Sequence, residues 1–488
     1  MTGYDVVVIG AGTAGCVMAA RLSQDPARRV LLLEAGPDYP TLAELPEEIR
    51  NGWDSAGDSH DWDYHGEPRR GAGGEHLPRG RLVGGSGAVN ACFALRGSPA
   101  DYDGWASAGN PGWSFADVLP IFRALEADAD FGDRPWHGAD GPVPIWRTPP
   151  QQLTDLSRAF LDSAEAVGHQ RVADHNQPGA LGAGPAPLNV EQGVRQSTAL
   201  THLAAARTRP NLTIRPDALV DRVQVQRGRA TGVRLAHPAE SVTADLVILC
   251  AGAYGSPAIL LRSGIGPADE LSACGVEPLL DLSGVGRHLH DHPLVVLALT
   301  GPRGLAELPR YQALVTTADL HLFCGGAWRH DEQSHFIVAG GLVRPQSRGR
   351  LWLRSADPAD PPRIDLGLLT DPADRPPLRA GIRQLADMLA TAPLAGLLTR
   401  PADDGPPVAD DSELDAWIAA RAGTYHHPVG SCRMGPDPAH DAVVDASGTV
   451  HGIRGLSIVD ASIMPTVPAA NTNLPTVMVA EHIAAGLR

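Results

Sequence analysis

The chain begins with an apolar run, YDVVVIG from Tyr4 to Gly10, rich in β-branched residues. A run with no alternation suits a strand buried on both faces of a parallel sheet. AGCVMAARLSQ, starting at Ala14, predicts a helix, and RVLLLEAG (29–36) predicts a second buried strand with Glu34 at its end. The segment 209–238 alternates apolar and polar residues between turn signals, which predicts short strands. ADLVILCAGAYGSP (244–257) and GLSIVDAS (455–462) read as two further strands of the parallel sheet, the latter with Asp460 at its end. Helical periodicity runs through AGIRQLADMLATAPLAGLL (380–398) and DSELDAWIAARA (411–422).

One stretch fits neither period. RGRLVGGSGAVNACFALRG, from Arg79 to Gly97, crowds Gly80, Gly84, Gly85 and Gly87 ahead of Asn90. Glycine is entropically costly unless some other body must approach the backbone closely. The cluster therefore predicts that something lies against this loop.

A second glycine pattern sits between the first strand and the first helix: Gly10-Ala11-Gly12-Thr13-Ala14-Gly15. One glycine allows the tight turn, one admits a pyrophosphate against the backbone, and the last lets helix and strand pack closely. The helix N-terminus faces the phosphates. Glu34, at the end of the next strand, is placed to hold ribose hydroxyls. In a chain with 54 glycines the bare pattern is weak, and the flanking strand, helix and acid give it weight. It predicts dinucleotide binding without separating FAD from a nicotinamide cofactor.

Composition narrows the class. The formal charge of -16 argues against nucleic acid and against an anionic membrane surface. The six cysteines are scattered without a C-x-x-C pair or any metal-ligand spacing, so they read as free thiols in a reducing compartment, and no metal is expected. The first strand starts too early to leave room for a secretion signal, and no apolar run approaches a membrane span. A cytoplasmic protein is the expectation.

The glycine loop also carries a family resemblance. Gly80-Arg81-x-Val83-Gly84-Gly85-Ser86-Gly87-x-Val89-Asn90 resembles the first signature of the glucose-methanol-choline (GMC) flavin oxidoreductases. Gly252-Ala253-Tyr254-Gly255-Ser256-Pro257, continuing to Gly266, resembles the second. DLSGVGRHLHDHP (281–293), SRGRLWLRSADP (347–358), HHPVGSCRMG (426–435) and VDASIMPTVPAANTNLPTVMVAEHIA (459–484) resemble further family segments in order.

The resemblance implies an α/β fold, with a Rossmann-like FAD-binding domain and a discontinuous substrate domain on an antiparallel sheet. It places the FAD domain at 1–145, 188–288 and 424–488, and the substrate domain at 146–187 and 289–423. It implies FAD contacts from Gly10, Gly12, Thr13, Ala14 and Gly15, and from Glu34 and Ala35. Arg81, Val83, Gly84, Gly85, Ser86, Asn90 and Ala91 would supply the loop's contacts. The backbone of Val220 would meet the adenine, and Ala251, Asp460, Ala461, Asn471 and Thr472 would complete the set. Asn473 and Thr476 are either flavin contacts or plain capping residues. Some relatives attach FAD through a histidine just before the loop asparagine. Val89 stands there and has no nucleophile, so non-covalent FAD is expected. The stretch 293–346 is short for the family, which implies an open substrate mouth.

Alcohol oxidation needs a base for the hydroxyl proton and an acceptor for the hydride. Of nineteen histidines, the resemblance singles out His427 as the base, with adjacent His426 pointing elsewhere. Asn471 falls on the second catalytic position, where an amide can only donate or accept hydrogen bonds. The implied function is FAD-dependent oxidation of a small-molecule alcohol. A redox-silent lyase of the hydroxynitrile lyase type and a nicotinamide dehydrogenase are the rival classes. Bulky Tyr425 and His426 ahead of the base incline the acceptor toward a carrier over oxygen, whereas substrate and acceptor identity are not legible.

Overall fold

The computed structural model describes residues 3–68, 74–302, 309–330, 333–399 and 405–487. Five strands make a parallel sheet in the order Leu456–Ile458, Ser241–Leu249, Tyr4–Ile9, Val30–Leu33, Leu212–Arg215. Val6–Ile9 and Val30–Leu33 are buried throughout, as their unbroken apolar runs require. Strand Ser241–Leu249 has two roles along one edge. Its first residues pair antiparallel with Gly232–Arg234, and its last pair parallel with Leu456–Ile458. Helix Thr13–Leu22 packs against Asn473–Gly486, bringing the two ends of the chain together.

A second sheet is antiparallel: Gly423–Thr424, Pro293–Gly301, Gln333–Leu342, Leu320–His330, Ala313–Thr316, Gly182–Pro185. Successive residues point to opposite faces. Val295, Leu297, Leu299 and Val338 face a core shared with helices Asp155–Ala166, Arg375–Ala390 and Asp411–Arg421. Leu294, Val296, Phe323 and Ile337 point the other way and line a cavity. The two-period pattern thus gives this sheet one face for stability and one for ligand.

Two expectations need adjustment. The helix expected over 380–398 ends at Ala390, and a short turn, Leu394–Leu397, follows. Pro393 lacks an N–H and disfavours helix at the residue before it. The stretch 289–423 is also not all of one layer. Its hairpin Arg350–Trp352 and Arg363–Asp365 buries Leu351 and Ile364 in the core of the parallel sheet. We propose the domain division of the sequence reading with this hairpin moved to the cofactor side. Part of the expected open mouth, 303–308 and 331–332, lies outside the described residues. Among the described residues no helix is long and apolar enough to cross a membrane.

Candidate active site

The glycine loop is pressed against the first glycine turn. Gly85 has φ 53°, and a Cβ there would lie 2.5 Å from Cα of Gly12. At Gly15 a Cβ would fall 1.8 Å from the carbonyl oxygen of Gly10, so strand and helix meet with no room for a side chain. What lies against the loop is therefore first the dinucleotide turn itself.

Along both runs a cavity of about 890 Å³, within the range of sites that enclose a sizeable organic ligand. Its wall takes in Gly10, Gly12, Thr13, Ala14, Glu34 and Ala35 from the first turn and second strand. Arg81, Gly85, Ser86, Asn90 and Ala91 come from the loop, and Val220, Ala251, Asp460, Ala461 and Thr472 from the other strand ends. His427 and Asn471 complete it at the antiparallel sheet. Gly15, Val83 and Gly84 do not line the cavity. Val83 is buried with its N–H on Pro37, and the N–H of Gly84 donates to the Ala11 carbonyl. These three support the wall from behind.

Glu34 is buried and accepts the N–H groups of Ala11 (2.8 Å) and Gly36 (2.9 Å), one on each carboxylate oxygen. Burial pushes its carboxyl up to about 7. Asp460 has a structural task of its own. It accepts from Gly252 N–H and the Ser256 hydroxyl, tying the start of helix Gly252–Arg262 to the last parallel strand. Thr13 donates to Oδ1 of Asn473 at 2.8 Å, and the Thr476 hydroxyl donates to the Thr472 carbonyl. Asn473 and Thr476 also line the cavity.

The reactive corner is built from three segments. His427 is buried, and its Nε2 stands 3.1 Å from Nδ2 of Asn471. Its Nδ1 faces Nδ1 of His292 at 3.0 Å. Oδ1 of Asp291 accepts both the His427 N–H (2.9 Å) and the His292 N–H (2.7 Å). Burial raises the Asp291 carboxyl to about 6. Burial, reinforced by neighbouring His292, holds His427 well below the ordinary imidazole value. The ring is therefore neutral at physiological pH and able to take a proton.

His426 has φ 66° and is exposed. Its carbonyl is held by the Arg79 guanidinium at 3.1 Å, and Asn471 bonds to His427 instead. Beside the pair stands an aromatic wall. Tyr425 stacks on Phe323 (centroids 5.4 Å), which meets Phe93 and Tyr311 edge-on. Sequence reasoning quoted the HDHP stretch without assigning His292 or Asp291 a task, and it missed Phe93, Tyr311 and Phe323. The first signal was present in that motif. The aromatic wall had no local signal.

The fold also gathers Glu126, Asp128 and His137 to within ligand distance of one another, which no spacing announced. Arg96 and Arg147 already balance the two acids, and His137 lies between Glu126 and Asp174. The cluster is a buried ion network joining the two sheets' connections.

A glycine cradle at a helix start, a ribose-type acid and a cavity ending on a neutral histidine and an amide define a dinucleotide-dependent oxidoreductase. Residues 4–294 and 345–480 match the N- and C-terminal models of the GMC oxidoreductase family, and the chain belongs to that family of FAD-binding enzymes acting on CH–OH donors. It is 39% identical to 5-(hydroxymethyl)furfural oxidase of Methylovorus sp., covering 99% of this chain and 98% of that one. It is 33% identical to oxygen-dependent choline dehydrogenase of Photobacterium profundum, over 99% of this chain and 92% of that one. Among solved structures, pyridoxine 4-oxidase from Mesorbium loti superposes with TM-score 0.91 at 34% identity over 99% of both chains.

Proposed function

We propose that this enzyme oxidises a small-molecule alcohol to an aldehyde or ketone, with His427 as the base. The observation that carries the reading is the convergence of His427 Nε2 and Asn471 Nδ2, 3.1 Å apart, on the cavity wall. FAD fits the cradle, because the close approach of Gly12 and Gly85 and the paired oxygens of Glu34 leave backbone and carboxylate facing the cavity. Glu34, Val220 and the two glycine runs would hold it. When bound, FAD supplies a hydride acceptor at N5.

His427 takes the hydroxyl proton at Nε2. Asn471 donates from Nδ2 to the same substrate oxygen, steadying it as negative charge develops. The neutral state of His427 keeps the base available, and Asp291 fixes its backbone. Phe93, Phe323 and Tyr425 exclude water from one side of the corner. The free, mostly buried cysteines accord with a cytoplasmic enzyme.

The test is anaerobic: a panel of alcohols is mixed with holoenzyme and flavin bleaching is followed by stopped flow. Wild type should bleach with at least one alcohol, and His427→Ala with full FAD should bleach roughly 10²–10⁴-fold more slowly. Unbleached flavin in the wild type with cleavage of hydroxynitriles would transfer the reading to a lyase.

A further inference from the structure

A histidine acts as a base only through a nitrogen that carries no proton. In a neutral imidazole one ring nitrogen donates and the other accepts. His427 can take a proton at Nε2 only while its own proton sits on Nδ1, and the group facing Nδ1 decides this. That group is His292, Nδ1 to Nδ1 at 3.0 Å, with the rings nearly perpendicular at 85°. Two imidazole nitrogens at this separation share one proton. Either His427 donates and its Nε2 is open, or His292 donates and the base is blocked.

One contact selects the first arrangement. Asn471 Nδ2 approaches His427 Nε2, and an amide N–H can donate only into a lone pair there. That contact puts the His427 proton on Nδ1, so Nδ1 of His292 is the acceptor facing it. The His292 ring is fully buried and neutral, so its single proton then sits on Nε2, which has no hydrogen-bond partner among the described residues. The pair is also clamped. Asp291 accepts the backbone N–H of both residues, and the Tyr425 N–H donates to the His292 carbonyl.

We propose that His292 is a positioning residue that keeps the proton of His427 on Nδ1 and thereby leaves Nε2 open to the alcohol. The proposal rests on His427 being the base. In the reaction the substrate O–H bond breaks, an Nε2–H bond forms, and the hydride leaves for the family's flavin. The resulting imidazolium then donates from Nδ1 to His292 in a charge-assisted hydrogen bond.

Histidine-selective ¹⁵N NMR on oxidised wild-type holoenzyme decides the tautomer, with the His427 signals identified by their loss in His427→Ala. The expected result is a bare Nε2 and a protonated Nδ1 on His427. A protonated Nε2, as a reversed Asn471 amide would require, overturns the proposal.

Two variants test the consequence in FAD-replete enzyme. His292→Phe should mix the His427 tautomers and slow flavin reduction roughly 10–10²-fold, below the 10²–10⁴ of a whole general base. The alcohol dissociation constant should hold. His292→Asn, whose Oδ1 can accept near the place of Nδ1, should recover most of the rate. His292→Phe with an unchanged tautomer and wild-type rate overturns the role. If His292→Phe does not load FAD, the wild-type tautomer and the His292→Asn rate decide. A wild-type rate in His427→Ala would instead defeat the base reading, leaving the tautomer result standing separately.

Discussion

Nδ2 of Asn471 stands 3.1 Å from Nε2 of His427, and the two residues enter the site from different segments. Both atoms lie on the cavity wall, and together they mark the point at which one alcohol oxygen can meet a donor and an acceptor.

The two residues should differ in their response to pH. Raising pH ionises the alcohol and substitutes in part for a missing base. His427→Ala should recover part of its flavin reduction rate at high pH, whereas Asn471→Ala, slowed by roughly 10–10³-fold, should recover little. Their effects need not add, because both act on one oxygen. Stopped-flow reduction across a pH series is the measurement, and equal recovery in both variants would contradict the division of labour.

Glu34 should make the apoprotein sensitive to pH. Burial raises its carboxyl from 4.5 to about 7, so the folded chain holds this proton more tightly than the unfolded chain. Its contribution is fully present below the unfolded value and declines as pH rises toward 7, by roughly 3 kcal/mol in all. Thermal unfolding of the apoprotein Glu34→Gln should show a flatter profile than wild type between about pH 5 and 8. Glu34→Ala should weaken FAD retention on dialysis by roughly 1–3 kcal/mol.

The cradle should not accept a methyl group. Gly15→Ala would push a Cβ into the Gly10 carbonyl, and Gly85→Ala into the backbone of Gly12 at a left-handed φ. Each should destabilise by roughly 1–3 kcal/mol and reduce FAD content. Gly104→Ala, on a helix with nothing within 4 Å of the added Cβ, serves as the control. It should stabilise by about 0.5–1 kcal/mol. Melting temperature and the flavin-to-protein absorbance ratio report both effects.

FAD should be released by acid. Val89 lines the cavity and offers no nucleophile. Acid precipitation of the purified holoenzyme should give a colourless pellet and a yellow supernatant. Colour that stays with the washed pellet would show a covalent link formed elsewhere.

Tyr425 should govern the acceptor. Its ring lies 4.4 Å, centroid to centroid, from that of His427 and fills the space beside the base. Reduced wild-type enzyme should reoxidise faster with a quinone-like carrier than with oxygen, and Tyr425→Val should narrow the gap by raising the oxygen rate. Reoxidation followed by stopped flow under each acceptor is the check. A saturating oxygen rate in the wild type with stoichiometric peroxide would reverse the expectation.

Much of the cofactor half was legible before any coordinates. The runs at Val6–Ile9 and Val30–Leu33 declare buried parallel strands because every residue in them is apolar, and Glu34 follows at a fixed distance. Strand, turn and helix start depend on residues within a few positions of one another, so a short window contains their causes. His427 and Asn471 were legible through long motifs that also span short windows.

Tertiary structure alone decided the rest. Gly85 closes on Gly12 because the loop folds back across the sheet, and neither segment encodes that meeting. Phe323 reaches the site beside Tyr425 because its strand pairs with Leu314 and Ala339 in a register that turns it toward the cavity. His292 meets His427 from a segment 135 positions away. Such contacts are chosen by which faces of two sheets bury together. That choice minimises exposed apolar surface over the whole chain at once, and no local pattern records it.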